Sequence, residues 1–372
     1  MIYFDNAATG GFKTRAAISA AESVIKFLSA NPGRSGHRLA LTGAKIVADC
    51  REILAREFGA DPSRVIFTKN CTEALNTAVF GGIKGGKVFT TTLEHNSVLR
   101  PLYKLQRQGI ITLEILPPDD IMTAIKKKYD GTATAIVATA VSNVTGETLP
   151  VYEIGEFAKE KNLLFIVDGA QGGGHIPLSV KEQNISCLAL AGHKGLGGIM
   201  GSGVLILDDG VELEPLTYGG TGTETFLTEM PPAPPERFEA GTLNLPAVAS
   251  LLEGVRHIAK NFPESAKTLT RYSERLILGL SEIPSVKIFS KPNPAGIVSF
   301  GIKDRSSEEV ADALNAEYDV AIRGGYHCAP LCHEYLGTQK QGLARASLAV
   351  NNSAAEIDYF IRAIKKIATK SF

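Results

Sequence analysis

The sequence predicts an α/β protein with a mostly parallel sheet, followed by a smaller α+β unit. Near-continuous apolar runs alternate with amphipathic helical segments over the first two thirds of the 372 residues, which is typical of a parallel sheet covered by helices on both faces. A Pro-rich stretch at 231–235 and a long helical segment then precede a second, shorter series of helices and strands. In such sheets ligands bind at the carboxyl ends of the strands.

The individual elements follow from the period of the apolar residues and from glycine and polar boundaries. In the first part we predict helices over 42–58, 72–80, 96–108 and 151–161, and strands over 65–67, 87–90, 110–116, 133–139, 162–168 and 187–191. In the second part we predict helices over 246–260 and from about 268, strands over 297–301 and 320–323 with a helix between them, and a terminal helix from 354.

The composition excludes several classes of protein. Lysine plus arginine and aspartate plus glutamate both number 39, so the formal charge is zero. We therefore expect no binding to nucleic acid or to an anionic membrane through the charge of the whole chain. With 44% hydrophobic residues we expect a folded chain and not a disordered one. No apolar run approaches ~18 residues, so we expect no transmembrane helix. The first residues have neither a basic stretch nor a long apolar run, so we expect no signal peptide. Five cysteines, an odd number, are expected to be free thiols in the reducing cytoplasm.

A lysine flanked by glycines is the strongest local signal. Lys194 lies in AGHKGLGG, where little crowding leaves its amine accessible and desolvation would favour a Schiff base with a carbonyl. Alone, it could be a solvated lysine in a turn, although the spacing excludes a Walker loop. Asp168 follows an apolar strand in VDGAQ and alone could cap a helix. Together the two residues match the carboxylate and lysine that hold pyridoxal phosphate (PLP).

Two further segments carry candidate chemistry. The run 70–73 (NCTE) follows a strand and opens a helix, so it could cradle a phosphate or simply cap the helix. Cys328 lies in RGGYHCAP, beside an arginine, a histidine and two glycines. These neighbours favour a reactive thiolate over a buried structural cysteine.

These motifs together resemble the class V, fold-type I enzymes that use PLP. Among them the chain is most similar to the cysteine desulfurase and selenocysteine lyase group with a short active-site loop. The resemblance runs from YFDNAAT near the start to ARASLAVNN near the end. It implies a large PLP-binding domain with a seven-stranded sheet over 14–255. It also implies a small α+β domain, formed by 1–13 and 256–372, that carries the active-site cysteine loop.

The resemblance implies a role for each matching residue. Lys194 would bind the cofactor covalently, Asp168 would keep its pyridinium nitrogen protonated, and Gln171 would bind its phenolic oxygen. His95, in LEHNS, would stack on the ring and move a proton. The remaining implied contacts are Cys71, Thr72 and His193 at the cofactor and its phosphate, Thr242 at the phosphate of the partner subunit, and Asn143, Arg345, Arg323 and His37 around the substrate, with Arg345 paired bidentately with its carboxylate.

The reaction that the resemblance implies is the conversion of L-cysteine to L-alanine. Lys194 would remove the α-proton, and the Cys328 thiolate would attack the substrate sulfur and carry it as a persulfide. The sulfur would pass to an acceptor, which could be an iron–sulfur scaffold, a thiolation carrier or a small reductant. A homodimer is expected, because Thr242 would complete the site of the partner.

Some positions depart from the family pattern. Ala191 stands where many relatives have serine, so one hydroxyl for the phosphate is missing. Tyr326 replaces a histidine in the active-site loop, which affects loop chemistry and partner docking. Cys332 is an additional thiol that could accept sulfur, form a disulfide with Cys328 or only fill space. The two further cysteines not placed at the cofactor, Cys50 and Cys187, are expected to be structural.

Other functions stay open at the level of sequence. A selenocysteine lyase acting on L-selenocysteine would share the same motifs, and cysteine sulfinate is a further candidate substrate. A class V aminotransferase would use Lys194 and Asp168 without a thiol, and Cys328 argues against it. The third alternative is a metal or haem binder built on the two histidines and two cysteines of 327–333. We expect no metal site, because ligands clustered on one short loop strain tetrahedral closure.

Overall fold

The computed structural model describes residues 1–33 and 35–369, and a seven-stranded sheet forms its centre. The helices are α1 (Arg15–Phe27), α2 (Arg38–Phe58), α3 (Cys71–Gly82), α4 (Asn96–Arg107), α5 (Ile121–Lys128), α6 (Val151–Glu160), α7 (Leu245–Ser281), α8 (Ser307–Tyr318), α9 (Pro330–Leu336) and α10 (Ala354–Thr369). The strands are β1 (Ile2–Tyr3), β2 (Val65–Thr68), β3 (Gly86–Thr91), β4 (Ile111–Leu116), β5 (Ala133–Thr139), β6 (Leu164–Asp168), β7 (Cys187–Ala191), β8 (Gly203–Leu207), β9 (Val286–Ile288), β10 (Ile297–Ile302), β11 (Val320–Ala321) and β12 (Ala344–Ser347).

The central sheet has the strand order β2-β8-β7-β6-β5-β3-β4. Strands β4, β3, β5, β6 and β7 are parallel, while β8 is antiparallel to both of its neighbours. The predicted, mostly parallel sheet of seven strands is therefore confirmed. Because β5, β6 and β7 are parallel neighbours, their carboxyl ends lie side by side, and a ligand can contact the residues that follow all three.

Apolar side chains alternate between the two faces of this sheet. In β6, Phe165 lies in one buried cluster with Leu54 of α2 and Phe157 of α6. The next residue, Ile166, lies in a second cluster with Leu75 of α3. Helices therefore cover both faces, and a ligand can approach only where the strands end.

A smaller unit joins the two ends of the chain. Strands β12, β10 and β9 form an antiparallel sheet, and β1 pairs in parallel with β11. Phe4 is fully buried, and its ring centroid lies 5.5 Å from that of Phe360 in α10. The N-terminal segment thus belongs to the apolar core of the C-terminal part. The predicted domain boundary at 255/256 falls inside α7 and stays a prediction.

Helix α7 differs most from its prediction. The sequence predicted one helix ending at 260 and another from about 268, but a single helix runs over 37 residues through Pro263. Proline removes one backbone N–H and crowds one preceding carbonyl. Here the helix continues because it is packed on both sides of the proline: Val255 lies in the core of the large sheet and Leu269 in that of the smaller unit.

Several elements were not predicted, among them α1, β8 and β12. The buried face of α1 consists of Ala17, Ala21 and Val24. Strand β8 is a five-residue apolar run behind a glycine-rich segment, too short to show a period. Among the residues that the structure describes, no helix is both long and apolar enough to cross a membrane.

Candidate active site

A cavity of about 190 Å³ opens at the carboxyl ends of β5, β6 and β7. It brings together residues from five separate stretches of the chain, because each stretch follows a strand of the central sheet. Eight residues that the sequence marked as candidates line it: Cys71, Thr72, His95, Asn143, Asp168, Gln171, His193 and Lys194.

Lys194 lies in a tight glycine turn directly after β7. A Cβ at Gly195 would lie 2.3 Å from the carbonyl oxygen of Gly173, and one at Gly192 would lie 2.3 Å from the Ser202 hydroxyl. Only glycine therefore lets the backbone approach this closely and turn the lysine into the cavity. Burial lowers the pKa of the Lys194 amine, and the nearby Asp168 carboxylate opposes that shift.

Asp168 is the last residue of β6 and is 3% exposed. Its Oδ1 accepts hydrogen bonds from the backbone N–H of Ala170 at 2.9 Å and from the Cys71 thiol at 3.5 Å. Among the residues described, Oδ2 accepts none. One oxygen of this buried carboxylate is thus held by the protein, and the other is left for a group in the cavity.

The start of α3 supplies hydrogen-bond donors to the same cavity. The Asn70 side chain caps the helix by accepting the N–H of Glu73. The N–H groups of the first helical residues, Cys71 and Thr72, have no partner within the helix. The Thr72 hydroxyl lies 2.8 Å from the hydroxyl of Ser97. Hydroxyls and free N–H groups at a helix N-terminus form a favourable site for a phosphate.

Ser97 lines the cavity although the sequence interpretation assigned it no role. Its only sequence signal is its position two residues after His95. Ser97 belongs to α4 and supplies a hydroxyl to the cavity. Ala191 lines the same cavity but has no hydroxyl to supply.

His95 caps α4 and faces the cavity. Its Nδ1 accepts the backbone N–H of Ser97 at 3.0 Å, so the neutral ring carries its proton on Nε2. Burial lowers the pKa of His95, which favours this neutral form, while Asp168 opposes the shift.

The N-terminal segment closes another side of the site. Nε2 of Gln171 donates to the carbonyl of Ala7 at 2.8 Å, which leaves its second N–H free to donate. Nδ1 of His193 lies 3.1 Å from the Thr9 hydroxyl, and burial lowers the pKa of His193 to about 4. Lys13, which the sequence interpretation missed, donates to the His193 carbonyl at 2.9 Å, and burial lowers its pKa to about 8.

The loop that carries Cys328 is held next to this cavity, and the thiol residue is exposed. Its carbonyl accepts the N–H of Asn96 at 2.7 Å, and the carbonyl of His327 accepts from the Asn143 side chain at 2.8 Å. His327 and Cys328 have left-handed backbones, with φ of 49° and 57°. Two consecutive non-glycine residues in this region are strained, and such strain is concentrated at functional sites.

Arg345 lies under this loop and is 1% exposed. Nη1 donates to the carbonyl of Asn143 at 2.8 Å, Nη2 pairs with Oδ1 of Asp5 at 3.0 Å, and Nε has no partner among the residues described. Arg323 is bridged to Arg345 through the backbone. Both arginines are close enough to Lys194 to lower the pKa of its amine further.

Two further predicted site residues, Thr242 and His37, do not line the cavity that contains Lys194. Thr242 is exposed and lines a separate cavity with Lys69 and Glu73, outside the one that contains Lys194. His37 is exposed and caps α2, where its Nδ1 accepts the N–H of Ala40 at 3.3 Å. Their roles stay predictions.

Cys332 lies in α9 and is fully buried, as are Cys50 and Cys187. Burial raises the pKa of each of these thiols to about 12. All five cysteines are free in the structure.

The two histidines of the segment 327–333 bind other groups of the protein. The ring of His327 forms a hydrogen bond with the Leu343 carbonyl, and that of His333 forms one with the Thr338 hydroxyl. Within residues 1–33 and 35–369 no group of three or more His, Cys, Asp or Glu side chains could hold a metal ion.

Comparison with known proteins identifies relatives of this chain over nearly its whole length. The family model described as Aminotransferase class-V matches residues 2–360. The chain belongs to this family. A protein from Pyrococcus abyssi named "Probable cysteine desulfurase" is 33% identical, with 99% of this chain and 94% of the relative covered. The protein from Methanosarcina thermophila named cysteine desulfurase IscS is 28% identical, with 99% and 92% covered.

A solved structure is similar over nearly the whole chain. The apo structure of the cysteine desulfurase from Thermococcus onnurineus NA1 superposes with a TM-score of 0.90 at 31% identity and covers 99% of this chain and 94% of that one. The resemblance to class V enzymes of fold type I is therefore confirmed, and so is the fold class.

Proposed function

We propose that this class V enzyme is a PLP-dependent cysteine desulfurase that converts L-cysteine to L-alanine and holds the released sulfur on Cys328. The observation that carries the proposal is one cavity shared by Lys194 and Asp168, with the loop of an exposed thiol anchored beside it. A lysine and a carboxylate in one cavity suit PLP, and an accessible thiol suits sulfur transfer. The relatives named cysteine desulfurase support the same activity.

The residues of the cavity fit the cofactor. Oδ2 of Asp168 is available to a protonated ring nitrogen, and the paired hydroxyls of Thr72 and Ser97 lie at the start of α3, where a phosphate is favourable. Gln171 retains one N–H for a ring oxygen. When bound, PLP supplies an electron sink that stabilises negative charge at the α-carbon of the substrate.

Arg345 is the residue that would bind the substrate carboxylate. Its Nε is buried and has no partner among the residues described, which is costly unless an acceptor arrives. Asp5 and the Asn143 carbonyl hold the rest of the guanidinium in place. The charge of Arg345 lowers the pKa of the Lys194 amine, so an amino acid bound through its carboxylate at Arg345 would lie near that lysine.

Lys194 and His95 would handle protons. Since burial lowers the pKa of Lys194, a larger fraction of its amine is neutral and able to accept the α-proton. His95 would present the N–H of Nε2 to the cavity, because Nδ1 is occupied by the backbone of Ser97.

Cys328 would take the sulfur. Its thiolate forms an S–S bond with the substrate sulfur while the bond between that sulfur and the substrate Cβ breaks. The electron pair of the broken bond stays with the substrate, which gains a proton at Cβ and leaves as alanine. One thiol and one cysteine thus give one persulfide and one alanine, with no external oxidant.

We further propose that the enzyme works as a homodimer. Thr242 lies outside the cavity of its own chain, as expected of a residue that serves the partner. Near it in sequence, the segment 216–227 exposes several large apolar side chains, Leu216, Tyr218, Phe226 and Leu227. A cluster of exposed apolar side chains marks an interaction surface.

We infer a cytoplasmic enzyme that delivers sulfur to an acceptor such as an iron–sulfur scaffold. The five free thiols favour a reducing compartment. The name of the Methanosarcina thermophila relative, IscS, supports a role in sulfur supply. The substrate could also be L-selenocysteine, because no residue described here distinguishes the two chalcogens.

The test is sulfide release from L-cysteine, with dithiothreitol as reductant and without any 2-oxo acid. The wild type should release sulfide and alanine in equal amounts, and Cys328→Ser should lose sulfide release while keeping the absorbance of bound PLP. Cys332→Ala is the matched control and should remain active. Full activity of Cys328→Ser would overturn the proposal, and alanine formation only with a 2-oxo acid would identify an aminotransferase.

A further inference from the structure

A buried thiol contacts the carboxylate at the centre of the site. Cys71, the first residue of α3, is 8% exposed and lines the cavity. Its Sγ lies 3.5 Å from Oδ1 of Asp168, although 97 residues separate the two in sequence. The thiol therefore links the start of α3 to the carboxylate at the end of β6.

The thiol is a donor in this pair. Burial, followed by the negative charge of Asp168, raises the pKa of Cys71 well above its ordinary value, so the thiol keeps its proton. Oδ1 of Asp168 already accepts the N–H of Ala170 at 2.9 Å. With two donors on Oδ1, the carboxyl group is fixed in rotation and Oδ2 is directed away from both.

We propose that Cys71 is a positioning residue: its thiol holds Asp168 so that Oδ2 meets the ring nitrogen of PLP, and its hydrogen bond moderates the basicity of that carboxylate. This rests on the proposed use of PLP. A less basic Asp168 leaves the shared proton on the ring nitrogen, which is the form that withdraws electrons from the substrate.

A packing role for Cys71 makes different predictions. Cys187 of β7 is fully buried and lies in the same apolar cluster as Cys71. Its thiol makes no hydrogen bond among the residues described. Replacing each cysteine by alanine removes similar volume from one cluster, but only at Cys71 does it also remove a donor to Asp168.

The experiment compares the wild type with Cys71→Ala, Cys71→Ser and Cys187→Ala. Resident cofactor is removed from each holoenzyme with hydroxylamine, and PLP is titrated back while its absorbance is followed. Loss of one hydrogen bond should raise the Kd for PLP about 3- to 10-fold in Cys71→Ala. Cys71→Ser, which restores a donor, and Cys187→Ala should stay within about twofold of the wild type.

A second readout is the pH at which the absorbance of the bound cofactor changes. This change reports the protonation of the nitrogen that joins Lys194 to the cofactor. It should move to higher pH in Cys71→Ala, because a ring nitrogen that is less often cationic repels the proton on that nitrogen less, and it should return in Cys71→Ser. If wild type binds PLP and all variants behave alike, or if Cys187→Ala matches Cys71→Ala, the role of Cys71 is wrong while the proposed cofactor stands. If the wild type itself takes up no PLP, both proposals are overturned.

Discussion

Arg345 and Asp5 form an ion pair, with Nη2 and Oδ1 3.0 Å apart, between residues 340 positions apart in the chain. The arginine side chain is 1% exposed and the aspartate 21%. The N-terminal segment therefore orients the arginine that we propose as the anchor of the substrate carboxylate. The pair also offsets part of the cost of burying the charged guanidinium before substrate arrives.

Asp5→Asn should weaken substrate binding more than turnover. The amide still accepts a hydrogen bond from Arg345 but no longer balances its charge, so the guanidinium is less firmly oriented. We expect KM for L-cysteine to rise about 10-fold with a smaller change in kcat, measured by steady-state sulfide release. Asp319→Asn, which removes an exposed ion pair with the N-terminal amine, is the control. An unchanged KM in Asp5→Asn would contradict this role.

Glu94→Gln should flatten the pH dependence of stability between about pH 4.3 and pH 8. Burial raises the pKa of Glu94 to about 8, whereas an unfolded glutamate ionises near 4.3. Between these pH values the folded state binds one more proton than the unfolded state, so the free energy of unfolding falls as pH rises. Urea unfolding at pH 6.5 and 8 should show a smaller fall in Glu94→Gln than in wild type.

The matched control for that measurement is Glu212→Gln, at an exposed position. Comparing variant with wild type cancels the contributions of other groups that titrate in this range. Equal falls in stability for Glu94→Gln and wild type would show that Glu94 is ionised in the folded protein.

Gly195→Ala should displace Lys194 and prevent covalent binding of PLP. A Cβ at this position would lie 2.3 Å from the carbonyl oxygen of Gly173, a backbone atom that cannot rotate away. We expect a purified variant without the visible absorbance of bound cofactor. Gly36→Ala, where a Cβ meets nothing within 4 Å, should keep it. Normal cofactor content in Gly195→Ala would show that the turn can shift without moving the lysine.

Mixed dimers test whether Thr242 serves the partner. Lys194→Ala and Thr242→Ala homodimers should each be impaired, because every site lacks one residue. In a dimer of the two variants, one site contains Lys194 of its own chain and Thr242 of the partner. Random mixing in equal amounts should therefore restore about a quarter of wild-type activity. No gain on mixing, with exchange of subunits confirmed by differently tagged chains, would place Thr242 outside the partner's site.

Residues that follow strands were predicted well from the sequence. Asp168 ends a run of apolar residues, and Lys194 is surrounded by glycines. Both signals are local, because an apolar strand and a tight turn leave a trace in consecutive residues. The central sheet was predicted for the same reason, whereas α7 was divided at Pro263 because packing from two apolar cores outweighs a local break.

Contacts between distant segments left no such trace. Ser97 and Lys13 reach the site from a helix and from the N-terminal segment, and neither side chain is marked by its neighbours in sequence. The sequence left three roles open for Cys332: sulfur acceptor, disulfide partner of Cys328, or packing residue. Its complete burial in α9 and raised pKa favour a packing role.

The sequence by itself determined the kind of fold, the family and the lysine–carboxylate pair, since these depend on short patterns of strand, turn and glycine. The tertiary structure alone decided which partners complete them. The thiol of Cys71 meets Asp168 because α3 begins beside the end of β6, and Asp5 meets Arg345 because the first residues of the chain pack into the core of its last third. Such contacts arise when the sheet forms and brings separate strand ends together, and no local pattern records them.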